Sequence, residues 1–154
     1  MIAVDIHPAR LALATELGAT DTINTTEVNL TDEIMRLTDG KGADYVVDTT
    51  ARPELLRQGA EALGLRGTLA LVGAAAPGTE VSFEIGLSLV KGWTFKTVIQ
   101  GSSVPQVFIP KLIDLWRDGR FPMDKLMRNY KLEDINVGFA DSKSGVTVKP
   151  VIVF

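Results

Sequence analysis

The sequence predicts an α/β fold, a mostly parallel sheet with helices on both faces. Three observations carry that expectation. Short apolar, β-branched runs recur along the chain and read as strands buried on both faces. Stretches of about 10–13 residues with helical apolar spacing separate them, which is the βαβ pattern. The 154 residues are 45% hydrophobic and 23% charged, ordinary globular material long enough to bury a core without staples. A single domain over residues 1–154 is expected.

Met1-Ile2-Ala3-Val4-Asp5, apolar and ending in an acid, reads as the first strand. His7-Pro8-Ala9-Arg10 turns the chain, with Pro8 suited to a first helical turn. Leu11, Leu13, Ala14 and Leu17 then give a helix its apolar face as far as Gly18. Thr22-Ile23-Asn24 is a short strand. A helix from Thr31 turns Ile34, Met35 and Leu37 inward and stops at Asp39-Gly40-Lys41-Gly42. Ala43 to Asp48 is the next strand, its β-branched centre arguing for burial.

Pro53 to Leu63 has helical spacing, with Leu55, Leu56, Ala60 and Leu63 on the apolar side. Gly67 to Gly73 is another two-faced strand, and a loop runs from Ala74 to Thr79. Ser82 to Leu89 fits either element type, and Trp93 to Gln100 reads as a strand. Pro105 to Arg117 is a helix with Val107, Phe108, Leu112, Ile113 and Trp116 at helical spacing. A last helix begins at Leu132 and runs to Asp141, and Val146 to Phe154 closes the chain as a strand.

Composition excludes several functions. With 16 Lys+Arg against 19 Asp+Glu the net charge is −3, so no basic footprint points to nucleic acid or an anionic membrane. No apolar run reaches the roughly 18 residues of a membrane span. Zero cysteines remove any disulfide or thiolate nucleophile; they fit a reducing compartment, and a cytoplasmic location is expected. One histidine and no cysteine leave only carboxylates to hold a zinc ion, unlike the usual nitrogen and sulfur donors.

Asp5 is the sharpest clue. An acid at the carboxyl end of a buried strand can accept the hydroxyls of an adenosine ribose, and its charge repels the extra phosphate of NADP. The plainer alternative is a helix-entry residue bonding nearby amides. A dinucleotide fold places G-x-G-x-x-G about 20 residues before that acid; only four residues precede Asp5, and the motif occurs nowhere in the chain. Arg10, one helical turn on, could flank adenine or a phosphate, or be a solvated charge. Asp48 to Arg52 and Val72-Gly73-Ala74 sit at strand ends where parallel sheets bind ligands; Gly73 allows the backbone to approach a cofactor closely or simply makes a turn. The lone His7 reads as a surface loop residue. The Trp93/Phe95 alternation and the Phe108/Trp116 face read as core or subunit contact.

Taken together these residues resemble the zinc-containing medium-chain alcohol dehydrogenases. Ala3-Val4-Asp5-Ile6 with Leu11 to Ala19 resembles the family's second Rossmann strand and helix, and Asp21 to Asn24 its third strand. Gly42 to Asp48 resembles the fourth strand and Gly67 to Gly73 the fifth. Ser103 to Pro110, Gly119-Arg120-Phe121-Pro122 and Gly145 to Pro150 resemble the aryl- and benzyl-alcohol branch.

The resemblance implies NAD-linked oxidation of a primary or aromatic alcohol to an aldehyde. It implies Asp5 and Ile6 at the ribose, Arg10 beside the adenosine, and Thr49, Thr50 and Arg52 along the adenosine and nicotinamide ribose. Val72, Gly73 and Ala74, with Val98, Ile99 and Gln100, are implied as backbone contacts on the nicotinamide side, and Lys149 as the cation at the pyrophosphate. A homodimer or higher assembly through the 93–100 strand is implied as well.

The family's catalytic domain, zinc ligands, first Rossmann strand and glycine loop have no counterpart here. The expected fold is therefore a Rossmann-like sheet truncated at its N-terminus, with zinc expected only in the absent catalytic domain. The chain alone is expected to be inactive, with no catalytic residue, and to bind NAD weakly, since loop amides supply much of the pyrophosphate binding. In strand order 3-2-1-4-5-6 the absent strand is central, so the edges of Ile2 to Asp5 and Tyr45 to Asp48 are expected to close on each other, to take a strand from a partner chain, or to meet residues of the protein beyond these 154. Two other readings stay open: a non-catalytic dimerising nucleotide-binding module, and a zinc-free quinone or enoyl reductase fragment.

Overall fold

A computed structural model describes residues 1–154. In chain order the elements are β1 (Ile2–Asp5), α1 (Pro8–Glu16), β2 (Asp21–Asn24), α2 (Leu30–Leu37) and β3 (Ala43–Asp48). Then come α3 (Pro53–Glu61), β4 (Leu63–Leu71), α4 (Ile85–Lys91), β5 (Thr94–Thr97) and α5 (Pro105–Arg117). β6 (Met127–Lys131), α6 (Ile135–Ser144) and β7 (Lys149–Val153) complete the chain. Every strand pairing is parallel, as the alternation of strands and helices predicts. The strands form three sheets, β1-β2, β3-β4-β5 and β6-β7. The chain divides into two units, residues 1–26 with 103–154, and residues 27–102.

In the first unit, β1 and β2 pair in register from Ile2 with Asp21 to Asp5 with Asn24. α1 crosses between them and packs on both strands, and Leu11, Ala19 and Ile23 are buried. β6 and β7 are joined by α6, and Gly138 of that helix lies against the Tyr130 ring and Pro150. The absent side chain lets the helix sit close to the strands.

In the second unit, α3 covers one face of the three-stranded sheet. Leu56, Ala60, Leu63 and Leu69 form the core, and Val46, Leu71, Val81, Phe83 and Trp93 pack around it. Phe83 meets Trp93 edge-on at 5.2 Å between ring centroids, which makes Trp93 a core residue, one of the two alternatives its sequence allowed. α2 docks on α3 through Gln58, whose Oε1 accepts from the Leu30 amide at 3.0 Å while its carbonyl accepts from Thr31 Oγ1 at 3.0 Å. The opposite sheet face leaves Tyr45 79% and Val47 66% exposed.

Several boundaries differ from expectation. Leu63, counted with the helix before it, opens β4 and is fully buried as a strand residue. The helix stops at Glu61 and Lys91 Nζ donates to the carbonyls of Glu61 and Leu63 at 2.7 and 2.6 Å, satisfying the end that a longer helix would have paired. Register then jumps from Ala43–Leu63 to Tyr45–Thr68, with Arg66 at φ +59 inside the bulge. The strand expected over Trp93 to Gln100 covers only Thr94–Thr97, because Gln100–Ser102 turns as a 3-10 segment with left-handed residues. Ile85–Lys91 resolves the ambiguous stretch as a helix, capped by the Glu84 carboxylate on the amides of Gly86 and Leu87. β6 carries no strand signal in its sequence, since only Tyr130 of its five residues is buried. Within its own unit, β1 pairs with β2 and β3 with β4.

Candidate functional site

In the first unit, β1 ends in a tight turn built by Asp5. Its Oδ1 accepts from the amides of Ile6 at 2.7 Å and His7 at 2.9 Å. This is the helix-entry role that the sequence left open, and it occupies one carboxylate oxygen. Oδ2 faces Nη1 of Arg10 at 3.7 Å, with both side chains about one-third exposed, 29% for Asp5 and 31% for Arg10. Arg10 Nε is buried and has no hydrogen-bond partner. The turn therefore holds a charged acceptor at the surface beside the Arg10 guanidinium, groups that a ribose diol and an adjacent anionic group could contact. On that observation the residues fit an adenosine ribose.

His7 is not the free surface residue its sequence suggests. It is the N-cap of α1, and its ring lies against Gly145, the buried left-handed residue that ends α6. Lys149, at the start of β7, pairs with Met127 and is exposed. A buried polar cluster anchors the segment leading to it. Tyr130 OH donates to Asp141 Oδ2 at 2.7 Å and lies 2.7 Å from Thr147 Oγ1, and the Thr147 amide donates to the Asp141 carbonyl at 3.1 Å. At the far end of α1, Glu16 Oε1 accepts from Lys125 Nζ at 2.7 Å. That hydrogen bond, with the carboxylate's charge, holds the Lys125 amine above the usual lysine range.

In the second unit, the carboxyl ends of β3, β4 and β5 lie side by side. The amides of Val72 and Gly73 donate to the Asp48 carbonyl at 2.8 and 3.2 Å, and the Val98 amide to the Leu71 carbonyl at 2.8 Å. A Cβ at Gly73 would fall 2.7 Å from the carbonyl of Thr49 and 2.8 Å from the Ala51 amide nitrogen. The glycine is thus required where two loops of this chain pass close to each other.

Asp48, named only as the start of that loop, shapes it. Its buried carboxylate accepts from the Thr50 amide at 3.0 Å, the Ala51 amide at 2.7 Å and Thr50 Oγ1 at 3.0 Å. Ala51 is held at φ +54. Thr49 and Thr50 are exposed beside it. Arg52 is bound to Glu54 at 2.7 Å; the Glu54 backbone amide first, and then Arg52, hold that carboxyl below the usual range. Ala74, Ile99 and Gln100 are exposed, and Val98 is half-buried.

Of the sequence-derived site residues, Asp5, Ile6, Arg10 and Lys149 lie in the first unit, and Thr49, Thr50, Arg52, Val72, Gly73, Ala74, Val98, Ile99 and Gln100 in the second. All but Lys149 follow the carboxyl end of a parallel strand, where such sheets take ligands. Asp48, His7 and Gly145 were missed as organisers of these turns. An acid two residues before a threonine was the available signal for Asp48; no local signal pairs positions 7 and 145. No group of three or more His, Asp or Glu could hold a metal ion, so a zinc ion finds no ligand set in this chain. No helix is long and apolar enough to cross a membrane.

The sequence profile described as zinc-binding dehydrogenase matches residues 1–117. Over its whole length the chain is 34% identical to geraniol dehydrogenase of Castellaniella defragrans, of which it covers 41%. Among solved structures, an alcohol dehydrogenase zinc-binding domain protein from Burkholderia ambifaria superposes with a TM-score of 0.94 at 50% identity, over 98% of this chain and 40% of that one. Benzyl alcohol dehydrogenase from Acinetobacter calcoaceticus superposes with a TM-score of 0.94 at 42% identity, over 98% of this chain and 41% of that one. The chain thus spans about two-fifths of the length of the relatives it matches.

Proposed function

This chain belongs to the zinc-binding dehydrogenase family, and on that premise we propose that it is the cofactor-binding part of an NAD-dependent alcohol dehydrogenase. The observation that carries the proposal is the turn after β1. Asp5 there keeps one carboxylate oxygen clear of backbone amides, next to the partly exposed Arg10 guanidinium. Oδ2 of Asp5 accepts the adenosine ribose hydroxyls, and its charge disfavours a 2′-phosphate, so NAD is taken in preference to NADP. Arg10 flanks the adenosine, and Lys149 presents a point charge to the pyrophosphate in place of a bidentate fork.

In the second unit, Thr49, Thr50 and Arg52 and the main chain of Val72 to Ala74 and Val98 to Gln100 are the candidate cofactor contacts. NAD when bound supplies the hydride acceptor; the residues of this chain bind and orient it. None of them is assigned to proton transfer or to zinc, and the chain alone is inactive. Turnover of an alcohol by the purified 154-residue chain would overturn that last statement. The substrate class is a primary or aromatic alcohol, which the names of the geraniol and benzyl alcohol relatives support.

In the working, cytoplasmic protein a second copy pairs along β5. That strand ends its sheet, all four of its residues are exposed, and Ile85, Leu89, Val90 and Ile99 near it are exposed as well.

The test is a paired titration of the chain with NAD and NADP, in wild type and Asp5→Ser. Wild type should favour NAD by about tenfold, the effect of ~1.4 kcal/mol of charge repulsion, and the variant should bring the ratio close to one. Equal ratios in the two proteins would refute the Asp5 assignment.

A further inference from the structure

We infer that His7 is a positioning residue: seated on Gly145, its ring docks the Asp5 turn onto the segment carrying Lys149, so that both act on one dinucleotide. The inference rests on the cofactor reading above and adds to it a device that no motif announces.

The contact is specific. A methyl group at position 145 would come within 3.1 Å of His7 Cε1 and Nδ1 and 3.2 Å of Cγ, so the imidazole lies against the bare α-carbon. Gly145 is buried and ends α6 with φ +81. A side chain there would meet both a strained backbone and the ring. His7 is also fixed from the other direction, since its amide donates to Asp5 Oδ1 at 2.9 Å. The carboxylate, the turn and the ring therefore move as one piece.

The opposite end of α1 is tied independently. Glu16 pairs with Lys125 at 2.7 Å, and Lys125 lies two residues before β6. The helix that starts at the Asp5 turn thus touches α6's end at one terminus and the turn before β6 at the other. From Gly145 the chain runs only four residues to Lys149, and Thr147 between them is pinned by Tyr130 and Asp141. Asp5 and Lys149, 144 positions apart in sequence, are connected through the packing of the His7 ring on the buried Gly145 and the hydrogen bonds that hold Thr147.

A ligand touching only Asp5 has no need of that path. A ligand that spans ribose and pyrophosphate does, because a flexible lysine contributes little unless its backbone is aimed. The discriminating ligands are therefore adenosine, which lacks phosphate, and ADP-ribose, which has both groups.

The experiment titrates the 154-residue chain with each ligand, following amide shifts, in wild type, His7→Ala, His7→Phe, Lys149→Ala and the His7→Ala/Lys149→Ala double variant. Lys149→Ala should cost ADP-ribose about tenfold in affinity, the effect of one charge-assisted contact, and leave adenosine within about twofold. His7→Ala should reproduce that selective loss, the double variant should be no worse than either single one, and His7→Phe, which keeps a flat ring, should restore binding. Should His7→Ala unfold, Lys125→Met cuts the other tether and should give the same selective loss.

Equal weakening of both ligands, additive losses in the double variant, or an unchanged ADP-ribose affinity would overturn the positioning role. Its failure is separable from that of the cofactor reading. If Asp5→Ser and Lys149→Ala also change neither ligand, the cofactor assignment falls and takes the positioning role with it.

Discussion

Replacing Asp48 with alanine tests how the loop after β3 is held. Its carboxylate accepts from three donors, the amides of Thr50 and Ala51 and the Thr50 hydroxyl. The consequences of losing them differ. Thr50 is exposed, so its amide and hydroxyl can turn to water at small cost. Ala51 is buried at 6% exposure, and its amide bond to Asp48 is the short one at 2.7 Å. Asp48→Ala therefore orphans one buried N–H, which costs about 1–3 kcal/mol. It also releases Ala51 from φ +54, a conformation that alanine adopts only when held.

We expect a loss of about 2 kcal/mol in total, read as a fall of about 1 M in the urea midpoint at an unchanged m-value. Asp48→Asn keeps an oxygen for both amides and should cost less than half as much, because only the charge-assisted part is lost. An unchanged midpoint for Asp48→Ala would refute this argument, as would an asparagine variant as unstable as the alanine one.

Gly73→Ala would place a methyl group against main-chain atoms of Thr49 and Ala51, which cannot swing aside; a loss of about 1–3 kcal/mol is expected, and urea unfolding at wild-type stability would contradict it. Lys125 titrates above the usual lysine range because Glu16 holds its charged form. A raised folded-state value means that the tether's contribution is complete below the unfolded pKa of about 10.4 and fades only as pH rises through the folded value. The stability difference between wild type and Lys125→Met should then be flat from about pH 7 to 10 and shrink beyond it; a difference that decays across neutral pH would contradict the assignment.

Much of this fold is legible in the sequence because its strands and helices carry their own signals. Pro105 and the apolar spacing behind it set α5 at Pro105–Arg117, and the β-branched centre of Ala43–Asp48 sets β3. What stays hidden depends on contacts between distant residues. β6 is polar along most of its length and becomes a strand only through its pairing with β7. Leu63 obeys the helical spacing of α3, yet Lys91 ends that helix from 30 positions away at Glu61 and frees Leu63 for the sheet.

The candidate site divides in the same way. Asp5 and Gly73 are visible because an acid at a strand end and a glycine in a turn have local causes. The seat of His7 on Gly145 is a long-range event, and a lone histidine with no partner nearby in sequence gives no hint of it. Asp48 lies between these cases, since its partners are two and three residues away but its burial depends on the sheet beneath.

The most direct measurement is the titration of isotope-labelled chain with NAD, following individual backbone amides. If the turn after β1 takes the adenosine ribose, the amides of Ile6 and His7, both bonded to Asp5 Oδ1, will shift with NAD. The midpoint should be in the millimolar range, about −4 kcal/mol of binding, and the Ile6 and His7 shifts should vanish in Asp5→Ser. Shifts confined to other parts of the chain, or Ile6 and His7 amides that stay still while NAD binds elsewhere, would contradict a cofactor site at Asp5.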